Sequence, residues 1–70
     1  MKLTFEGTTS QQGTCPTLYS TDRGTYVVQG DKITDEEALA SLESRGFPDH
    51  ETAVEVPTQL LSFAPVRRLL

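Results

Sequence analysis

Leu3 and Phe5 alternate with Lys2, Thr4 and Glu6, the period-two pattern of a short strand with one apolar face. Residues 7–13, Gly-Thr-Thr-Ser-Gln-Gln-Gly, carry no large apolar side chain and are bounded by glycines, which predicts a flexible loop that separates this strand from the rest. Residues 17–20 and 25–29 are rich in β-branched and aromatic side chains and predict two further strands. Between them, Thr21-Asp22-Arg23-Gly24 has hairpin chemistry. Asp favours a type I turn, and Gly24 can take the left-handed conformation that closes a G1 bulge. Tyr19 and Tyr26 are expected to face each other across this hairpin.

Gly30-Asp31-Lys32 reads as the next turn, and the pattern then changes to helical. Thr34-Asp35-Glu36-Glu37 opens the segment, Ala38, Leu39 and Leu42 form a narrow apolar stripe, and Arg45-Gly46 closes it. The spacing predicts Thr34 as N-cap with Glu37 reaching back to its amide, Ile33 and Ala38 as a staple, and three acids at the positive end of the dipole. Gly46 is the C-terminal cap and Pro48 enforces the stop. So thin a stripe needs a sheet to lie on. Residues 52–56 alternate again, with Val54 and Val56 inward, and Pro57 ends that strand. Residues 58–63 predict one helical turn that tucks Leu60 or Leu61, with Phe63, under the sheet. Pro65 then releases a tail, residues 66–70. The expected order is strand, loop, hairpin, helix, strand and helical turn, and the helix offers a right-handed crossover between the last two strands.

Seventy residues amount to one domain, with residues 1–14 a loosely attached strand and loop and 65–70 a tail. The class is α+β: a small, mostly antiparallel sheet of three or four strands with one helix packed on one face. A chain this short buries only about 60% of its unfolded surface, so its core is thin. Cys15 is the single cysteine, which excludes an internal disulfide, and 36% hydrophobic residues without tryptophan is modest for a free-standing monomer. Idealised packing or oligomerisation remain as supports, and the modest apolar content favours oligomerisation. Ten acids against six bases give a net charge of −4, a field that repels a phosphate backbone. The sole basic cluster, Arg67-Arg68, is too small for a nucleic-acid footprint. Residues 1–6 lack the apolar region of a secretory signal, and no apolar run is long enough to span a membrane, so a cytoplasmic location is expected.

Candidate chemistry is sparse. Cys15 precedes a strand in Thr-Cys-Pro-Thr, and His50 stands between Asp49 and Glu51; a thiol enzyme or redox carrier would pair the two. Pro16 favours an extended entry over a helix N-terminus, so Cys15 reads better as a small half-buried side chain and His50 as a solvated loop residue. Asp31, Asp35, Glu36 and Glu37 are four acids in seven residues, but they enter a helix and lack the register of a calcium loop. No catalytic, cofactor-binding or metal residue is assigned. Leu60, Leu61, Phe63, Val66, Leu69 and Leu70 put six large apolar residues in eleven positions, with Arg67 and Arg68 among them. Apolar side chains beside arginine suit a protein–protein contact.

The run Cys15 to Gly30, with Ile33-Thr34-Asp35, Glu37-Ala38-Leu39, Glu55-Val56-Pro57 and Leu60-Leu61, resembles short uncharacterised actinobacterial proteins encoded near helix-turn-helix regulators. The resemblance covers about residues 15 to 61. It implies a small regulatory or accessory partner and carries no active site. The expected function is therefore a non-enzymatic interaction module, a homodimer or a subunit docked on another protein. Its rivals are the Cys15 thiol enzyme and a dimeric nucleic-acid-binding regulator.

Overall fold

A computed structural model describes residues 1–10 and 16–65. Its elements are β1 (Leu3–Thr8), β2 (Thr17–Thr21), β3 (Tyr26–Gln29), β4 (Asp31–Lys32), α1 (Glu36–Arg45), β5 (Val54–Glu55) and a 3₁₀ helix (Thr58–Phe63). The class is α+β. An antiparallel sheet runs in the order β1-β2-β3, and a separate two-stranded ribbon pairs β4 with β5.

β2 is the central strand because the hairpin forms as the turn chemistry requires. Gly24 adopts φ 75°, and the Thr21 amide donates to the Thr25 carbonyl at 2.9 Å. The Thr21 hydroxyl reinforces the turn by accepting from the amides of Arg23 and Thr25. β1 is not loosely attached. It pairs with β2 from Leu3↔Thr21 to Thr8↔Thr17, and its entry is clamped where Asp22 receives the Lys2 amide and donates its own to the Lys2 carbonyl.

A bulge between Phe5 and Gly7 decides which side of β1 faces inward. Before it, Phe5 is opposite Tyr19; after it, Gly7 is opposite Leu18. An extra residue in one strand shifts every later side chain to the other face. Gly7 therefore joins the inner face, and Leu3 and Phe5 are left outside, 48% and 58% exposed. The apolar face expected of this strand is thus its solvent side. The two tyrosines also separate: Tyr19 is opposite Val27 and Tyr26 opposite Ser20, adjacent positions on the strand and so on opposite faces.

The 3₁₀ helix covers the inner face, packing on β1 and β2. Leu60 is fully buried, Leu18 is 2% exposed, and these are the largest wholly buried side chains among the described residues. The Phe63 ring lies so close over Gly7 that a Cβ there would collide with it.

α1 does not take that position. It carries no fully buried residue, and its stripe faces the ribbon across an open groove of about 500 Å³ lined by Ile33, Ala38, Leu42, Ala53 and Val54. Its N-cap is Asp35, one residue later than Thr34, with the carboxylate accepting from the Ala38 amide at 2.9 Å. Ala38 then occupies the third helical position, where a capping box would need Glu or Gln, so the reciprocal bond expected of Glu37 has no place. The strand expected over residues 52–56 contracts to Val54–Glu55. It pairs antiparallel to β4, so α1 is an insertion in a long hairpin and not a crossover between parallel strands.

Candidate interaction surface

Parity along the three strands sorts the main sheet into two unlike faces. Cross-strand partners share a face, so Phe5, Tyr19 and Val27 form one row, with Leu3 and Thr21 beside it. Phe5 meets Tyr19 edge-to-face, with centroids 6.3 Å apart. No charged residue stands in these rows, although 23% of the chain is charged. No helix among the described residues packs on this side as the 3₁₀ helix does on the other. A second apolar exposure lies on the 3₁₀ helix itself, at Leu61 (61% exposed) and Phe63 (39%).

The expected contact residues therefore divide. Leu60 is core, because a 3₁₀ turn points only one of two adjacent leucines at the sheet, and it offers nothing to a partner. Leu61 is turned outward and Phe63 sits at the margin. Val66, Arg67, Arg68, Leu69 and Leu70 lie outside the described residues. Sequence reasoning missed Leu3 and Phe5 as surface, with Tyr19 and Val27 half-buried beside them. Only the bulge places β1's apolar side outward, and its sole signal was Gly7 following an alternating run.

Chemically the surface is quiet. A cleft of about 300 Å³ is lined by Glu6, Ser20, Thr21, Thr25, Tyr26 and Pro65. There the Ser20 hydroxyl donates to Glu6 at 2.7 Å and the Tyr26 hydroxyl donates to the Pro65 carbonyl at 3.1 Å. No imidazole lines it. His50 is on an exposed turn, 3.9 Å from Glu51. Cys15 lies outside the described residues. Among the described residues, no three His, Cys, Asp or Glu side chains gather as a metal site, and no helix is long and apolar enough to cross a membrane.

No family model matches the chain, and no curated protein or solved structure is significantly similar to it.

Proposed function

We propose that this protein is a non-enzymatic interaction module, acting in the cytoplasm as a partner of another copy or of a bacterial regulatory protein. The observation that carries the reading is the uncharged sheet face on which Leu3 and Phe5 are exposed and Tyr19 and Val27 half-buried, with few buried apolar side chains among the described residues. Large apolar side chains in contiguous exposure mark association surfaces. The resemblance to proteins encoded beside transcriptional regulators agrees with an accessory role.

The test compares the wild-type chain with a Phe5→Ser, Leu61→Ser variant of equal helix and strand content by circular dichroism. The wild type should self-associate in sedimentation, or retain a protein from a bacterial extract that the variant does not retain. A chain that stays monomeric and retains nothing sinks the reading.

A further inference from the structure

The main sheet has two edges, and they differ. β1 is interrupted by its bulge and carries Glu6, two devices that discourage pairing with another strand. β3 has neither. Tyr26-Val27-Val28-Gln29 has no charge, proline, glycine or bulge. The Thr21–Thr25 bond fixes which of its backbone groups are used. Thr25, Val27 and Gln29 turn theirs towards β2, so Tyr26 and Val28 point their amides and carbonyls away from the sheet. No strand among the described residues pairs on that side.

We propose that this edge is a homodimer interface, in which β3 pairs antiparallel with β3 of a second copy about a two-fold axis at Val27. The inference rests on the interaction-module reading and names its partner. Outward-facing residues must meet outward-facing residues, which leaves few registers. The register centred on Val27 sets Tyr26 opposite Val28 of the second copy, and Val28 opposite its Tyr26. These are aromatic against β-branched pairs, a favourable cross-strand combination. The same register brings the turn of one copy, with Asp22 and Arg23, to the end of the edge where Asp31 and Lys32 of the second copy follow β3, so acids and bases are present on both sides of that contact.

Within its own chain Asp31 stands across the ribbon from Glu55, a like-charged pair. Registers centred on Tyr26 or on Val28 pair only one of the two outward residues within β3, so backbone hydrogen bonding selects the Val27 axis. A chain of net charge −4 repels its own copy at long range, and an uncharged edge flanked by acids and bases is where two copies can meet. The pairing also joins the two open faces. The row Phe5, Tyr19, Val27 continues through Val27, Tyr19 and Phe5 of the second copy as one apolar band.

Sedimentation equilibrium from about 10 μM to about 1 mM at low salt tests this, with circular dichroism to confirm folding. The wild type should be in monomer–dimer exchange. Val28→Pro removes an outward amide that β2 does not use, so it should leave the hairpin folded and abolish the dimer. Should that variant misfold, Val27→Lys is the substitute. It sets two like charges about 4.5 Å apart (Cα to Cα) at the axis and should also give monomer. Arg23→Asp and Asp31→Arg should each weaken the dimer about tenfold, and the double swap should restore it. A wild type that is monomeric throughout overturns the proposal. So does a dimer that survives Val28→Pro or Val27→Lys, or one in which the double swap fails to rescue. A dimer lost only in the Phe5→Ser, Leu61→Ser variant would overturn the edge pairing and leave the interaction-module reading standing.

Discussion

Gly7 shows how one residue governs this molecule. Its missing side chain admits the Phe63 ring, and that contact holds the 3₁₀ helix against the sheet. Gly7→Ala should therefore cost about 1–3 kcal/mol, the range for overpacking, since the ring must be expelled or the strand must shift. Urea denaturation measures this, and the effect should shrink when Phe63 is also truncated to Ala. Asp35 is the second decisive residue. Asp35→Ala should destabilise α1 by about 1 kcal/mol through loss of the cap bond, read from helical ellipticity or melting. Thr34→Ala should change little, and a larger effect there would move the cap back to Thr34. That one-residue error was built into the sequence, because Thr34 and Asp35 are both good caps and the Thr-x-x-Glu spacing favoured the wrong one.

Among the elements, the hairpin was the most legible and the 3₁₀ helix the most consequential. Gly24 has φ 75°, and a Cβ at this position would meet no atom within 4 Å, so its requirement is conformational and not steric. Gly24→Val should cost more than about 1–2 kcal/mol, whereas Gly24→Asn should be milder because Asn tolerates the left-handed region. Equal losses for the two would mean the turn has rearranged. Leu60→Ala should cost about 2–5 kcal/mol, a large part of the stability of so small a domain, and thermal melting should show partial or complete unfolding. Leu61→Ala, on the exposed side of the same turn, should be close to neutral for folding. The sequence offered both leucines equally. Only the approach of the turn to Leu18 distinguishes them.

The whole molecule is spread thin. Its radius of gyration is 13.9 Å, where a compact chain of this length has about 11 Å. The sheet and its 3₁₀ helix form one small core, while α1 and the ribbon enclose a groove with no buried residue on the helix. A molecule so constructed should gain stability from a second copy, so its melting temperature should rise with protein concentration. A melting point independent of concentration would count against any stabilising self-association. Deleting residues 66–70 should leave the fold intact, because Leu18, Leu60 and Phe63 all lie upstream of that segment. Circular dichroism of the truncated chain checks this, and unfolding would make the tail part of the core.

The residues by themselves determined what short-range chemistry can determine: the Gly24 turn, the Gly46 cap, the span of α1, the presence of strands around residues 3–6, 17–20 and 26–29, and hence the α+β class, whereas Gly7 and Thr8, expected to open a loop, extend β1. Each depends on partners a few positions apart, whose cost of ordering is small and whose signals are local. The tertiary structure alone decided which side of each strand is inside. A single bulged residue in β1 exchanged the faces of Gly7 and Phe5, and distant pairing set β5 antiparallel to β4 and Leu60 over Leu61. Alternation marks two faces of a strand without saying which one will be covered, and the covering element here lies about fifty residues away in the chain.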